Sequence, residues 1–213
     1  MSGNHRYIAI EGPIGVGKTT LARRLASDTG ANLLLEGADE NPFLARFYQA
    51  PERYALPTQL FFLMQRAEQL ADLRQPDLFG DSRVADFMLD KDRLFAELTL
   101  DADEFRLYNQ VYEHVIRDYP VPDLVIYLQA PVRTLLERIA HRGIDYELDI
   151  EAGYLQRLVE VYARYFSCFD AAPLLIVDAL RIDLVHSRAD YDRLLSMLDS
   201  TRSGRQFLTP PLV

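Results

Sequence analysis

Eight consecutive residues, Gly12-Pro13-Ile14-Gly15-Val16-Gly17-Lys18-Thr19, carry the strongest chemical signal in the chain. Their spacing is G-x-x-x-x-G-K-[ST], the pattern of a loop that wraps a polyphosphate. Gly12, Gly15 and Gly17 let the backbone curl so that successive N–H groups, that of Val16 among them, point inward. A helix starting at the loop's end adds its partial positive charge, with Thr20 in its first turn. Lys18 would reach the outer phosphates, and the Thr19 hydroxyl would ligate Mg2+. The implied ligand is a magnesium–nucleoside triphosphate.

Such a loop works only if a strand leads into it and a helix leads out. The apolar run Tyr7–Glu11 supplies the strand, and Thr20 to Ala26 reads as the first turns of an amphipathic helix. Further strand-like runs recur at Asn32–Glu36, Val84–Met88, Leu124–Gln129 and Leu174–Asp178. Between them lie helical patterns at about Pro57–Leu73, Asp101–Tyr119, Val132–Arg142 and Glu151–Phe169. Asp101 followed three residues on by Glu104 has the form of a capping box. Pro51, Pro57, Pro76, Pro120 and Pro122 are expected at element boundaries. This alternation predicts an α/β fold with a five-stranded parallel sheet flanked by helices on both faces. Ligands of such sheets bind beyond the carboxyl ends of the strands, where Glu11, Glu36, Asp86 and Asp178 fall.

Length and composition bound the answer further. The 213 residues fit one domain, read as 1–199, followed by an aperiodic tail at 200–213 that contains Pro210-Pro211. A net charge of −9 with no basic run argues against nucleic-acid and anionic-membrane partners. No run approaches membrane-spanning length, and the N-terminal stretch has no signal-peptide core. Cys168 is the single cysteine, so no intrachain disulfide forms and a cytoplasmic setting is expected. It lies in the apolar helical stretch Tyr165–Phe169 and reads as buried filler. The four histidines form no cluster with metal-ligand spacing.

A phosphate loop alone does not name a reaction; the second substrate's site does. The segment Tyr48-Gln49-Ala50-Pro51-Glu52-Arg53-Tyr54, followed by Gln59 and Arg66, resembles the substrate region of the deoxynucleoside kinases. So do Glu36 with Asn41-Pro42-Phe43-Leu44 downstream, and Arg138-Ile139-Ala140-His141-Arg142-Gly143. The resemblance to this family, which includes the deoxycytidine, deoxyguanosine and deoxyadenosine kinases, spans about residues 6 to 185. It implies a P-loop kinase fold, a small lid at about 142–150, a homodimer paired through long helices, and ATP with Mg2+ as phosphate donor. The implied reaction is phosphorylation of a deoxynucleoside 5′-hydroxyl, with a lean to deoxyadenosine or deoxyguanosine and deoxycytidine as a further option.

The resemblance also implies roles for individual residues. Glu36 faces the 5′-hydroxyl; Tyr48 and Glu147 hold the 3′-hydroxyl; Gln59 reads the base edge, with Arg66 and Asp92 paired at its far side; Phe95 stacks on the base. Arg138 and Arg142 stabilise the transferring phosphoryl group, Asp86 is the acidic partner near magnesium with Thr19, and Asp178 and Arg181 belong to the loop around the donor's adenine. Spacing is compatible with several of these. Gln59 and Arg66 are seven residues apart and share a helix face with Phe62 between them. A carboxamide presents donor and acceptor side by side, and a guanidinium adds fixed donors, which together suit the edge of a nucleobase. Arg138 and Arg142, four apart, can converge on one point.

Two positions depart from the family pattern. An arginine usually follows the acidic residue after the third strand, whereas Phe87 follows Asp86 here, leaving Lys91 or Arg83 to supply the cation. Ile144 stands where the lid usually has a second arginine after Gly143, so one phosphate-contacting charge is lost. Two other readings fit the loop: a thymidylate-kinase-like nucleoside monophosphate kinase and a non-catalytic nucleotide-binding relative.

Overall fold

The computed structural model describes residues 5–73, 82–116 and 119–209; Pro76 and Pro210-Pro211 lie outside them. Its strands are β1 (Tyr7–Glu11), β2 (Asn32–Leu34), β3 (Arg83–Ala85), β4 (Leu124–Gln129), β5 (Leu174–Asp178) and β6 (Arg205–Leu208). The helices are α1 (Lys18–Thr29), α2 (Leu44–Gln49), α3 (Pro51–Leu73), α4 (Asp90–Thr99), α5 (Ala102–Val115), α6 (Val132–Arg142), α7 (Ala152–Cys168) and α8 (Arg188–Ser200). All strand pairings are parallel, in the order β2-β3-β1-β4-β5-β6. Every residue of β1 is buried, as are five of six in β4, which is why these strands read as unbroken apolar runs. From α7, Phe166 stacks on Tyr127 of β4 at 4.2 Å between ring centroids.

Among the described residues the sheet has six strands, not five. The sixth lies in the segment read as an aperiodic tail, and Leu174 to Val177 of β5 pair with Arg205 to Leu208. Its sequence gives little sign of a strand, because only Leu208 of its four residues is buried. Placement comes from outside: Gly204, at φ +67, turns the chain out of α8, and its carbonyl accepts from Leu174 N at 2.9 Å. An edge strand held by a neighbouring ladder needs no apolar period of its own.

Two strands end sooner than their apolar runs. Asp86 N donates to Leu34 O (3.1 Å), but the Asp86 carboxylate accepts from Glu36 N (2.9 Å), so a side chain replaces the next rung between β2 and β3. Met88 N donates to the Glu11 carboxylate at 2.6 Å instead of continuing a ladder. Both interruptions fall at the carboxyl edge, where the chain turns from sheet to site.

Helix boundaries also moved. Helix α3 begins at Pro51, not Pro57, and Pro57 lies inside it. Proline at a first helical position forfeits nothing, since that N–H has no intrahelical partner. Helix α5 ends at Val115, with Ile116 already extended, and Tyr119 before Pro120 is outside it, as the residue before a proline disfavours helix. Helices α2, α4 and α8 add to the expected set. Cys168 is exposed, a correction to its reading as core filler: it ends α7, and Phe166 two residues earlier takes the buried face.

The capping box at α5 is present in full: the Asp101 carboxylate accepts from the N–H groups of Asp103 and Glu104, both at 2.9 Å, and Glu104 accepts from Asp101 N. Asp101→Ala should therefore lower unfolding stability by about 1 kcal/mol, read as a lower urea midpoint at unchanged slope. A midpoint equal to wild type would show that α5 is held by packing alone.

Candidate active site

Two cavities meet at the carboxyl edge of the sheet. One, of about 420 Å³, is walled by α3, α4, the turn after β2 and the segment 142–147. The other, of about 510 Å³, lies between the Gly15–Leu21 stretch, the end of α6 and residues 179–186. Gly15, Lys18, Thr19 and Arg142 line both, so the Gly12–Thr19 loop forms the partition between them.

The loop takes the form its glycines allow. Gly12 has φ +146, and a Cβ there would sit 2.5 Å from the Leu128 carbonyl oxygen of β4. Gly15 has φ +80, and a Cβ would meet Ile139 and the Leu135 carbonyl of α6 at 2.8 and 2.9 Å. Both positions thus combine a left-handed backbone with contact too close for any side chain. Gly17 (φ +107) caps α1, which starts at Lys18. Val16 and Thr20 line the larger cavity. The Lys18 ammonium curls back to donate to Gly12 O (2.8 Å) and Pro13 O (3.2 Å). Burial, with Lys91 nearby, lowers its pKa to about 7.

Around the smaller cavity the chain assembles an ionic chain with no counterpart in any local spacing. Arg66, 2% exposed, joins two carboxylates: one Nη donates to Asp92 Oδ1 and the other to Glu36 Oε1. The second Glu36 oxygen accepts from Lys91 Nζ at 2.6 Å. Burial and the adjacent Arg66 bring Lys91 down to about 8, and burial brings Arg66 to about 10. Asp86 sits behind Glu36 and accepts from Thr19 Oγ1 at 2.5 Å. The expected Arg66–Asp92 pair is present; the second arm of Arg66, reaching Glu36 across 30 residues of sequence, was not anticipated. Of the two candidate cations, Lys91 contacts Glu36, whereas Arg83 begins β3, at the opposite end from the site, and lines neither cavity.

The remaining expected residues divide. Tyr48, Gln59, Phe95 and Glu147 all line the smaller cavity. Tyr48 stacks on Tyr146 with ring planes 8° apart, and burial raises its phenol well above the usual value. Glu147 and Arg142 form an ion pair across the segment after α6. Arg138 lines the larger cavity, where it donates to Val16 O (2.9 Å) and Ala179 O (2.7 Å). Asp178 and Arg181 are not brought to it. They pair with each other at 3.6 Å, with Arg181 69% exposed, and residues 179, 180 and 182–186 line the cavity instead. Asp178 is the last residue of β5 and Arg181 lies three further on; that local turn joins the two side chains to each other. Ile144 takes a place in the smaller cavity's wall.

Four buried polar atoms of that wall have no hydrogen-bond partner: Thr58 Oγ1, Arg66 Nε, Asp92 Oδ2 and Tyr154 OH. Buried groups left this way cost stability unless a ligand meets them. Thr58 and Tyr154 were not singled out by sequence. Thr58 adjoins Gln59 and could have been found by that adjacency, whereas nothing near Tyr154 on α7 marks it. Among the described residues, no group of three or more His, Cys, Asp or Glu is arranged to hold a metal ion, and no helix is long and apolar enough to cross a membrane.

Residues 8–201 match the family model described as deoxynucleoside kinase. The chain is 36% identical over 193 residues to a deoxyguanosine kinase of Bacillus subtilis, covering 88% of this chain and 93% of the relative. It is 29% identical to a deoxyadenosine kinase of Lactobacillus acidophilus, covering 91% and 95%. Among solved structures, a deoxyadenosine kinase from M. mycoides with the products dCMP and a flexible dCDP bound superposes with a TM-score of 0.79 at 25% identity, covering 91% of this chain and 99% of that one.

Proposed function

This chain belongs to the deoxynucleoside kinase family, and from that premise we propose that it transfers the γ-phosphoryl group of ATP to the 5′-hydroxyl of a purine deoxynucleoside. Membership makes it a transferase, and it does not favour the monophosphate-kinase or non-catalytic readings.

The observation that carries the substrate reading is the Asp92–Arg66–Glu36–Lys91 chain along one wall of the smaller cavity. A deoxynucleoside has a nucleobase at one end and a 5′-hydroxyl at the other. Asp92 and Gln59 would face the base, and Glu36 would meet the hydroxyl beside the loop. With one oxygen on Arg66 and the other on Lys91, the Glu36 carboxylate has a fixed direction. It would orient the hydroxyl for in-line attack and take its proton late, which is what a loose phosphoryl-transfer transition state requires. Lys91 would supply the cation that the missing arginine provides elsewhere in the family. Tyr48 and Glu147 would hold the 3′-hydroxyl, with Phe95 against the base.

The loop fits a triphosphate on two counts: Gly12 and Gly15 sit where no Cβ could, and the half-buried Lys18 lines both cavities with its ammonium turned to the loop. Thr19 Oγ1 and Asp86 Oδ2, 2.5 Å apart, would be the protein oxygens that hold Mg2+ beside the loop. When bound, the ion would neutralise charge on the phosphates. Arg138 and Arg142 would act on the transferring group. We also place a closing lid at 142–150, a homodimer contact on the face where Met64 of α3 and Leu107 of α5 are exposed, and the site of action in the cytoplasm.

The base preference rests on the relatives named deoxyguanosine and deoxyadenosine kinase and on Asp92 Oδ2, an acceptor that fits an exocyclic amino group, which adenine and guanine carry and thymine lacks. Purified protein given ATP and each of the four deoxynucleosides should show kcat/KM for deoxyguanosine or deoxyadenosine at least about tenfold above thymidine. Thymidine as the sole good substrate would overturn the preference.

A further inference from the structure

Glu11 ends the central strand, 1% exposed, and lines neither cavity. Its carboxylate nevertheless accepts three hydrogen bonds: from Met88 N (2.6 Å), Tyr162 OH (2.9 Å) and Gly12 N (3.1 Å). Gly12 opens the loop that separates the cavities. Met88 lies in the turn between Asp86 and Lys91, both of which reach the site. Tyr162 comes from α7 and packs edge-on against Phe95. One carboxylate thus ties the first residue of the loop to the turn carrying Asp86 and Lys91, and both to α7.

The second observation is electrostatic. Among the described residues no cation forms an ion pair with Glu11, yet the buried Arg66 and Lys91 lie within its field, and it favours the charged form of each. A buried charge is tolerated only when compensated. Arg66 and Lys91 already have Glu36 and Asp92 as ion-pair partners in the cavity wall, and a further fixed negative charge there would stand where anionic phosphates must bind. Glu11 supplies that charge from behind the sheet's edge.

We propose that Glu11 is a positioning residue of the phosphoryl-transfer site: it holds the Gly12 end of the loop and the Met88 turn in one frame and is a buried counter-charge behind Arg66 and Lys91. This rests on the reading that Lys91 serves the reaction. Lys91 faces Glu36 beyond β2, Asp86 beyond β3, Arg66 on α3 and Lys18 at the head of α1, with Glu11 beneath. Losing the one negative charge that is not in a cavity wall makes the protonated amine harder to keep, so its deprotonation moves to lower pH.

The test is the pH dependence of kcat with saturating ATP and the best deoxynucleoside. Glu11→Gln should lower kcat about tenfold or more and move the alkaline limb down by about half a pH unit or more. Glu11→Asp keeps the charge and shortens the reach, so kcat should fall with the limb in place; this second variant decides the matter if Glu11→Gln does not fold. An unmoved limb in Glu11→Gln, or a displaced one in Glu11→Asp, overturns the counter-charge role. Wild-type kcat in Glu11→Asp overturns the positioning role. Lys91→Met separates the layers: if it abolishes turnover while the Glu11 variants behave as wild type, only the inference about Glu11 falls. Wild-type turnover in Lys91→Met removes the reading beneath it.

Discussion

Replacing Glu36 with glutamine is expected to lower kcat by roughly 10²- to 10⁴-fold while triphosphate binding persists. Glutamine keeps the shape of the side chain and removes both the negative charge and the proton acceptor. Glu36 is a wall of the smaller cavity only, so the larger cavity beyond the loop should keep its ligand. The substitution also leaves Arg66 with one carboxylate in place of two and Lys91 without its 2.6 Å partner. Uncompensated buried charge is destabilising, so a lower melting temperature should accompany the loss of rate. Single-turnover rates, a triphosphate titration and a thermal melt on the same protein separate these effects. A variant within threefold of wild-type kcat would remove Glu36 from the chemistry and leave the ionic chain a purely structural device.

The second large effect belongs to Gly12. An alanine there must adopt a φ of +146, a region reserved for glycine, and its Cβ would lie 2.5 Å from a carbonyl oxygen of β4. The oxygen belongs to a central strand with ladders on both sides, so it cannot step aside as a flexible side chain could. Backbone strain of this kind costs about 1–3 kcal/mol, and the steric conflict adds to it. Gly12 N is also one of the three donors to Glu11, so a displaced loop would disturb that anchor too. Gly12→Ala should therefore lose about 2 kcal/mol or more in unfolding stability and weaken triphosphate binding at least about tenfold. Gly30→Ala is the matched control: φ is +69, nothing lies within 4 Å of the added Cβ, and the site is at the far end of α1. It should cost about 1 kcal/mol and leave the triphosphate affinity unchanged. Equal behaviour of the two variants would mean that the close approach to Leu128 has no consequence.

The features legible in the sequence share a property: each is written in residues close together along the chain. Glycines, lysine and threonine at fixed offsets specify the loop; an apolar run specifies β1; Asp101 and Glu104 specify the cap of α5. Where a feature depended on a partner far along the chain, local reading fell short. Strand β6 is held by the ladder of β5 and has one buried residue of its own. The apolar runs at the ends of β2 and β3 looked continuous, yet Asp86 and Glu11 intercept the N–H groups of Glu36 and Met88. Asp178 and Arg181, chosen for the donor side, satisfy each other locally and stay outside that cavity.

By itself, then, the sequence determined the glycine-rich loop between β1 and α1, the alternation of strands and helices around it, and the set of carboxylates waiting at the strand ends. Tertiary structure alone decided which of them act together. The order β2-β3-β1-β4-β5-β6 brings Glu36, Asp86 and Glu11 to adjacent strand ends, and α3 and α4 pack so that Arg66 and Lys91 close on Glu36 across 30 and 55 residues of chain. Local spacing encodes what one helix or one turn can present. Contacts over such separations are set by sheet order and packing, which are properties of the whole core and have no local signature.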